Sequence, residues 1–535
     1  MPHLQRLFFV KKTGDMETFA IIILKVFMFI GLSRGQQPTY ITLPAYYHDG
    51  MVLQADQDET LIWGFTTNSL QPVSVTITCD LEGQSNPHKT YLVAYPEDFK
   101  HSAAAEEGVW EARYTEKREN GDVCSIEFQQ VGSYFILNDI IFGDVWICSG
   151  QSNMVWPLYA MYNGTEVIAD SASYTNIRMY QANLETSFNE EDDLIGGGWG
   201  GWYSPDETNK LRTFSAVCFL FAREMSDRLG GDKKRVFGLI QSAWGGTRIE
   251  AWSSQDALNA CNIPPNSEEG NQEKNSNTVL WNAMLHPFLR HNIYGVLWYQ
   301  GESNYQWNTE LYNCTFPAMI RDWRAKWRLS DPTFPFGFVQ LANRVGRGGV
   351  LIRWHQTVDR GYAPNADLDN VFMAVAMDTY DQGIFPGGLH PRYKEIVGER
   401  LSISGGNIAY GMSTPTNGPY PSSIAQDDSL VVEVTYDQTL TYSNDETSGF
   451  WYCCYNFDEC NESWSWIEVA TESVSVLLDE AKILINLDLA ECNATEVQHL
   501  AYLWADTPVK AYLGAPIYAT DEYRLPGAPW TFPLP

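Results

Sequence analysis

The sequence predicts an α/β protein whose central domain holds a parallel sheet and is flanked by two all-β regions. Between residues 138 and 405, short and nearly continuous apolar runs alternate with segments of helical periodicity. Strands that are apolar on both faces are typical of a parallel sheet covered by helices on each side. Before and after this region, alternating strands are separated by Gly, Pro, Asn and Asp turns, which is typical of antiparallel sheets.

The N-terminal region, 38–136, is predicted to form a small β-sandwich domain. Its clearest strands are the alternating segments 73–78 and 125–128, which are bounded by turn residues. The C-terminal region, 406–535, again shows short strand-like segments, at 431–435, 474–478 and 483–487. We therefore expect a second β region to close the chain.

The central domain, 138–405, is predicted to alternate strands with helices, as doubly wound α/β domains do. The predicted strands are the apolar runs 140–148, 236–240, 293–299, 336–341 and 371–377. The predicted helices are 215–229, 278–290, 310–327, 350–360 and 392–401. Pro391 stands before the last of these, at a position that favours the first turn of a helix.

Residues 1–35 are predicted to be a secretory signal peptide. The apolar stretch 19–32 is interrupted by Lys25 and is followed by small and polar residues, which suits cleavage better than membrane spanning. The long basic segment before it makes Met16 an alternative start. The other interpretation is an uncleaved N-terminal anchor. We expect a protein of the secretory pathway, either lysosomal or extracellular.

Cysteines and glycosylation sequons agree with export. The chain has ten cysteines, and the group Cys453, Cys454, Cys460 and Cys492 lacks the spacing of a zinc site, so it predicts disulfides. Cys148 and Cys218 lie in apolar runs, where plain buried thiols are the alternative. Surface N-glycans are predicted at four sequons: Asn163, Asn313, Asn461 and Asn493.

The net charge disfavours two classes of partner. Acidic residues number 66 and basic residues 35, which gives a formal net charge of −31 at pH 7. A surface this negative repels phosphate backbones and anionic lipid headgroups. We therefore expect no nucleic-acid partner, and no membrane partner once the signal peptide has been removed.

Small and polar side chains follow the predicted strands of the central domain, where ligands of open α/β sheets bind. Ser152 follows the first strand, a Gly-Gly turn the second, amide side chains the third, and His390 the last. A serine, an imidazole and hydrogen-bond donors are the components of acyl transfer. Taken singly, Ser152 could be a helix cap and the others could fix loops, so the hypothesis depends on their joint placement.

Four sequence blocks resemble those of the sialate O-acetylesterases, which are SGNH-type hydrolases with a Gly-Gln-Ser-Asn-Met first block. The four blocks are 150–154 (GQSNM), 244–247 (WGGT), 298–304 (WYQGESN) and 390–392 (HPR). Segments 48–54 (HDGMVLQ) and 525–530 (LPGAPW) are also similar to that family, so the resemblance extends over nearly the whole mature chain.

The resemblance implies an SGNH-type three-layer αβα domain and a serine esterase that removes O-acetyl groups from sialic acids without a metal or another cofactor. It implies Ser152 as nucleophile and His390 as general base. The oxyanion hole would comprise the N–H groups of Ser152 and Gly246 with the amide of Gln300 or Asn304. Substrate-binding residues are predicted to be Gln151 and Arg248, the latter as a local cation for an anionic sugar.

The sequence departs from the family pattern at one position. Many SGNH enzymes carry Asp three residues before the histidine, where this chain has Gly387. The candidates for the carboxylate that orients the imidazole are Glu302 and Asp378, then Asp381, and a Ser–His dyad is the alternative. Two other functions stay open: an acetylesterase for other glycans such as acetylated xylan, and a sugar-binding pseudoenzyme.

Overall fold

The structure is a computed structural model. It describes residues 41–68, 70–81, 85–101, 106–230, 235–264, 273–328, 330–343, 348–381, 388–427, 429–445, 447–454, 460, 465–477, 480–488, 490 and 497–534. The predicted signal peptide, Gly387, Cys492, and the sequons at Asn461 and Asn493 lie outside the described residues.

Strands occur in three groups along the chain. The first group is β1 (Ile41–Thr42), β2 (Val52–Gln54), β3 (Thr60–Thr66), β4 (Val73–Asp80), β5 (His88–Ala94), β6 (Pro96–His101), β7 (Glu106–Tyr114), β8 (Val123–Gln130) and β9 (Ser133–Gly150). The second is β10 (Ile177–Gln181), β11 (Phe237–Ala243), β12 (Gly295–Tyr299), β13 (Phe336–Gln340) and β14 (Val371–Val375). The third is β15 (Pro421–Gln426), β16 (Val431–Tyr436), β17 (Leu440–Tyr442), β18 (Phe450–Cys453), β19 (Trp466–Glu468), β20 (Val474–Leu477), β21 (Lys482–Asn486), β22 (His499–Tyr502), β23 (Ile517–Ala519) and β24 (Trp530–Pro533).

The α-helices lie in the central part of the chain. They are α1 (Ser152–Val155), α2 (Gly164–Ser171), α3 (Thr208–Leu211), α4 (Ala216–Leu229), α5 (Gln255–Ala260), α6 (Tyr312–Lys326), α7 (Gly349–His355) and α8 (Lys394–Tyr410). Within the described ranges, no helix combines the length and the apolar character that crossing a bilayer requires.

The N-terminal strands form two antiparallel sheets, as the alternating sequence predicts. One sheet has the order β1-β3-β7-β6, and the other places β5, β4, β8 and the first half of β9 side by side. Buried and exposed side chains alternate along β4 and β8, which is the pattern of sheets with one face in the core. A disulfide between Cys79 and Cys124 joins β4 to β8.

Strand β9 connects the N-terminal sheet to the central sheet. Its first half pairs antiparallel with β8, and its second half pairs parallel with β11 and β12. The strand therefore runs through the predicted boundary near residue 137. Burial follows the change of partner, because every residue from Ile140 to Gly150 is buried.

The central sheet contains six parallel strands in the order β10-β11-β9-β12-β13-β14. Helices pack on both faces: Trp146 of β9 contacts Phe221 of α4 at 4.8 Å between ring centroids, and Trp298 of β12 contacts Trp323 of α6 at 5.8 Å. This confirms the α/β class. Strands β11 and β10 lie on one side of β9, and β12, β13 and β14 lie on the other. Ligands of open α/β sheets bind at the carboxyl ends of the strands where the order changes direction in this way.

Cys148 and Cys218, for which plain thiols were the alternative, form a disulfide. Cys148 lies on the face of β9 that α4 covers, and Cys218 lies in the first turn of α4. The side chain of Ser215 accepts a hydrogen bond from the Cys218 N–H at 3.2 Å and caps this helix. The Cys453 cluster is confirmed in part, because Cys453 pairs with Cys460.

Two predicted helices differ from the structure, and two strands escaped prediction. Segment 278–290 forms a π-helical turn, Trp281–Leu285, followed by a 3₁₀ turn, His286–Phe288. Helix α8 begins at Lys394 rather than at Pro391, because Arg392 folds back to bind Asp381. Strand β2 has only three residues, and β10 includes the polar residues Arg178 and Gln181, so neither shows a continuous apolar run.

The C-terminal strands form three small antiparallel sheets: β15-β16-β21-β20, β17-β23 and β19-β18-β22-β24. They also contact the central domain next to its last strand. The Tyr518 hydroxyl donates to Asp378 Oδ2 at 2.6 Å, and the Leu513 N–H donates to the Asp378 carbonyl at 2.8 Å. The C-terminal region therefore holds Asp378, which lies just after the last strand of the central sheet.

Candidate active site

Three strand ends converge on the candidate site through backbone hydrogen bonds. The N–H of Gln151 donates to the carbonyl of Tyr299 at 2.9 Å, and the N–H of Trp244 donates to the carbonyl of Gly150 at 3.0 Å. Gly150 has φ +130, and a Cβ there would lie 2.3 Å from the Tyr299 oxygen. Only glycine fits this close approach, and it fixes where the following serine begins its helix.

Ser152 and His390 meet at the carboxyl end of β9. The Oγ atom of Ser152, the first residue of α1, lies 2.8 Å from Nε2 of His390. The imidazole stacks on Trp156, with ring centroids 5.3 Å apart and an angle of 18° between the planes. The distance allows direct proton transfer between the two side chains.

The environment of His390 keeps its imidazole neutral. Burial, and secondarily the nearby charge of Lys394, lower the pKa of His390 to about 4. Burial disfavours the charged form because the imidazolium loses its hydration, and a neighbouring cation repels it. The unprotonated ring, which can accept a proton, is therefore the main form at any pH above about 4.

Two of the three candidate acids bind arginine residues. Both oxygens of Asp378 accept hydrogen bonds from Arg400, at 2.6 and 2.8 Å. Both oxygens of Asp381 accept from Arg392, at 2.7 and 3.0 Å. Each carboxylate therefore serves an ion pair, and the structure does not bring either to His390.

The third candidate acid, Glu302, reaches the site through Asn153. Glu302 is largely buried, and its Oε1 accepts a hydrogen bond from Asn153 Nδ2 at 2.5 Å. Among the described residues, His390 Nδ1 makes no hydrogen bond to a carboxylate or to another acceptor. The described geometry is thus a Ser–His pair without a carboxylate on the imidazole.

Two backbone N–H groups beside Ser152 Oγ are available to a bound oxyanion. The amides of Ser152 and Gly246 have no hydrogen-bond acceptor among the described residues. The turn is close to the nucleophile, because a Cβ on Gly245 would lie 3.4 Å from the Ser152 Cβ. Gly246 has φ +73, a conformation that other residues adopt only with strain.

The side chains of Gln300 and Asn304 point into the protein instead of towards Ser152. Both are fully buried. Gln300 Nε2 donates to Asn304 Oδ1 at 2.8 Å and to the Thr247 carbonyl at 3.0 Å. Asn304 Nδ2 donates to Glu250 at 2.9 Å. Their amide donors therefore brace the loop after β12 and the Gly-Gly turn, and neither is free for an oxyanion.

Gln151 is the side-chain amide that faces the nucleophile. Its Nε2 lies 3.5 Å from Ser152 Oγ, while its Oε1 accepts from the Ser303 N–H at 3.1 Å and from Gln300 at 3.3 Å. These two contacts fix the carbonyl oxygen, and the amide nitrogen faces Ser152 Oγ.

Two cations flank the Gly-Gly turn in a chain of negative net charge. The guanidinium of Arg248 lies 3.7 Å from the ring centroid of Trp307, and the ammonium of Lys274 donates to the Gly245 carbonyl at 2.8 Å. Neither has a carboxylate within ion-pair distance in the described ranges. Both side chains are partly exposed, so an anionic ligand could bind here.

The two described sequons differ in accessibility. Asn163 is exposed and lies immediately before α2. Asn313 lies inside α6, where its Nδ2 donates to Asp359 at 2.7 Å, and Thr315 of the same sequon is buried. The structure therefore favours a glycan at Asn163 over one at Asn313.

Sequence reasoning missed Asn153, Trp156, Lys274 and Lys394 as parts of this site. Asn153 is inside the block 150–154 and Lys394 is inside the predicted helix 392–401, but their residue types gave no reason to separate them from helix surface positions. A lysine four residues after His390 is ordinary in a helical pattern, and only the tertiary structure shows that it is fully buried.

Two family models match the chain. One, described as "Carbohydrate esterase, sialic acid-specific acetylesterase", matches residues 142–384. The other, described as "Sialate O-acetylesterase C-terminal domain", matches residues 422–534.

Similar proteins match over nearly the full chain. The human sialate O-acetylesterase is 33% identical over 508 residues, which cover 91% of this chain and 91% of that protein. The mouse sialate O-acetylesterase is 34% identical and covers 91% of this chain and 93% of that protein. A crystal structure of a carbohydrate acetylesterase from Xanthomonas citri superposes with a TM-score of 0.72 at 25% identity and covers 92% of this chain and 99% of that one.

The pH dependence of Ser152 labelling tests the environment of His390. With a serine-directed fluorophosphonate, we expect the labelling rate to be half-maximal near pH 4, because the pKa of His390 is lowered to about 4. Below that pH, the rate should fall about tenfold for each pH unit, because the protonated imidazole cannot accept the serine proton. Ser152→Ala is the control that removes labelling. A half-maximal rate near pH 6.5, the ordinary value for histidine, would contradict the lowered pKa that partial burial gives this imidazole.

Proposed function

This chain belongs to the sialate O-acetylesterase family, and on that premise we propose that it hydrolyses O-acetyl esters of sialic acids with Ser152 as nucleophile and His390 as general base. The observation that carries the mechanism is the 2.8 Å contact between Ser152 Oγ and His390 Nε2. A serine hydroxyl becomes an effective nucleophile when an adjacent imidazole accepts its proton.

In the first half of the reaction, Ser152 Oγ attacks the acetyl carbon while its proton moves to His390 Nε2. The N–H groups of Ser152 and Gly246 stabilise the resulting oxyanion, and Gln151 Nε2 lies close enough to assist. Preorganised donors of this kind lower the barrier by about 3–4 kcal/mol each. When the tetrahedral intermediate breaks down, His390 returns the proton to the departing sugar oxygen, and an acetyl group remains on Ser152.

In the second half, water hydrolyses the acetyl-enzyme. His390 accepts a proton from the water as its oxygen attacks the acetyl carbon, and then gives that proton to Ser152 Oγ as acetate leaves. Each half of the reaction starts from the neutral imidazole, which partial burial of the ring favours, and passes through the imidazolium before the proton is given back. No metal or cofactor takes part in the proposed reaction.

The proposed catalytic unit is a Ser–His dyad. Glu302 is the one candidate acid that remains near it, and it contacts Asn153 instead of the imidazole. Asp378 and Asp381 are assigned to the ion pairs with Arg400 and Arg392. Stacking on Trp156 supports the ring orientation of His390 from one face.

We propose that Arg248 binds the carboxylate of the sialic acid, with Lys274 as a second cation. Sialic acids are anionic, and the net charge of −31 repels them from most of the surface. Two cations beside the Gly-Gly turn offer a local positive potential where the substrate must enter. Acetylated xylan is neutral and has no anionic group that these cations could bind. The two cations therefore favour an O-acetylated sialic acid as the substrate. A pseudoenzyme is disfavoured by the intact Ser152–His390 contact.

The disulfides support export, and the order of the site residues along the chain supports an SGNH-type domain. The described residues contain four disulfides with both partners in view, as is typical of proteins from the secretory pathway, so we propose a lysosomal or secreted protein with a glycan at Asn163. The order of nucleophile, glycine turn and histidine at successive strand ends supports an SGNH-type catalytic domain over 138–405. Strand β9 is shared between this domain and the proposed N-terminal domain, 38–136. The proposed C-terminal β region, 406–535, begins inside α8, which ends at Tyr410, and its first strand is β15.

Acetate release from a panel of acetylated sugars tests the function. We expect release from 9-O-acetylated sialic acid to be at least tenfold faster than from acetylated xylan. Ser152→Ala and His390→Ala should each lower kcat by a factor of about 10³ or more, because they remove the attacking group and its base. Equal or faster release from xylan would reject the sialate assignment, and release undiminished in Ser152→Ala would reject the mechanism.

Substitution of Arg248 tests the carboxylate subsite. Arg248→Gln should raise KM for an O-acetylated sialic acid about tenfold or more, since a charge-assisted contact contributes about 1.5–3 kcal/mol, and should leave kcat within about threefold. Hydrolysis of a small neutral acetyl ester by the same variant is the control and should change little. An equal loss on both substrates would show that Arg248 does not read the carboxylate.

A further inference from the structure

Lys394 is a fully buried lysine beside the proposed catalytic pair. It is the first residue of α8 and follows His390 by four positions. Its ammonium donates to Asn153 Oδ1 at 2.5 Å and lies 5.0 Å from the ring centroid of Tyr299. A buried ammonium loses its hydration, which is costly unless other contacts compensate.

Asn153 uses its whole amide to join three segments of the chain. Its Oδ1 accepts from Lys394, and its Nδ2 donates to Glu302 Oε1 at 2.5 Å and to the carbonyl of Leu389 at 2.9 Å. Asn153 itself is almost completely buried. Donor and acceptor capacity are therefore both satisfied, as a buried polar group requires.

These contacts hold the chain on both sides of His390. Leu389 immediately precedes the imidazole and Lys394 follows it, and both bind the residue next to Ser152. In a catalytic triad, a carboxylate accepts a hydrogen bond from Nδ1 and so fixes the orientation of the imidazole directly. In this chain, the same restraint acts through the backbone of the loop and through the start of α8.

We propose that Asn153, Lys394 and Glu302 form a buried positioning cluster that holds the His390 loop against Ser152 in place of a triad carboxylate, and that the charge of Lys394 adds to burial in extending catalysis to lower pH. The expected kinetic effects rest on the proposed function. The hydrogen bonds of the cluster do not depend on which substrate is used. All three are positioning residues, because they act through the chain that carries His390.

The charges around the cluster explain how Lys394 acts on His390. Burial lowers the pKa of Lys394 to about 7, and the nearby carboxylates of Glu302 and Asp381 raise it in part. Below pH 7 the ammonium is therefore mainly charged. Its charge adds to burial in lowering the pKa of His390, so the imidazole stays unprotonated in mildly acidic solution. An uncharged residue at 394 removes that repulsion.

Three substitutions of Lys394 separate its charge from its hydrogen bond. Lys394→Arg keeps the charge, Lys394→Gln keeps an N–H donor without the charge, and Lys394→Met keeps similar length without either. The acid limb of kcat/KM should move upward in the Gln and Met variants, from near pH 4 to a value that burial still holds below 6.5, and should stay in place in the Arg variant. Lys89→Met, at an exposed lysine, is the matched control and should behave as wild type.

The size of the kcat loss tests positioning. Lys394→Met and Asn153→Ala should lower kcat about 10–100-fold with KM within about twofold, because a shift of about 1 Å in a catalytic group has effects of that size. Lys394→Gln should lose less than Lys394→Met, since its amide can still bind Asn153. An acid limb that stays at the wild-type pH in both uncharged variants, with kcat losses that follow the loss of Tm, would overturn the proposal.

Fluorophosphonate labelling of Ser152 separates this proposal from the proposed function, because it needs no acetylated substrate. The pH at half-maximal labelling should move upward in Lys394→Gln and Lys394→Met and not in Lys394→Arg. If wild type is labelled with this pattern and releases no acetate, the cluster stands and the substrate assignment fails. If acetate is released but labelling keeps the same pH dependence in all three variants, the function stands and the cluster is overturned.

Discussion

The contact between Ser152 Oγ and His390 Nε2 is the interaction on which the proposed chemistry depends. It joins residues separated by 238 positions in sequence, so no local structure can create it. The parallel sheet solves this problem because the ends of its strands share one edge. Backbone hydrogen bonds between the ends of β9, β11 and β12 then fix the serine, the glycine turn and the amide-rich loop relative to one another. The nucleophile is thus part of the sheet edge, while the histidine arrives from a loop that must be restrained separately.

Electrostatics explains how that loop can work without a carboxylate on the imidazole. Burial keeps His390 neutral, which is the form that accepts a proton, and stacking on Trp156 limits its rotation. A buried cation near an imidazole favours the neutral ring over the protonated ring. This suits a general base, which must be neutral at the start of each turnover. The imidazolium that forms during the reaction is less stabilised in this arrangement, but the enzyme stays active at lower pH. Activity at lower pH fits a protein proposed to be exported or lysosomal.

Much of the fold and the two central residues could be predicted from the sequence. Apolar runs mark strands that are buried on both faces, and Ser152 and His390 each follow such a run within a family block. Side-chain direction could not be predicted, because a strand end determines where Gln300 lies and not which way its amide points. The burial of Lys394 was hidden for a similar reason: a lysine in a helical pattern is usually solvated, and only the packing of α8 beside the ends of β9 and β12 encloses it.

The most direct test of the central claim is identification of the acyl-enzyme. A reaction with an O-acetylated sialic acid should be stopped with acid within the first turnovers, and the digested protein should be mapped by mass spectrometry. The account predicts one acetyl group, carried by the peptide that contains Ser152 and located on its side chain. An acetyl group on another residue, or a burst of sugar product with unmodified Ser152, would contradict it.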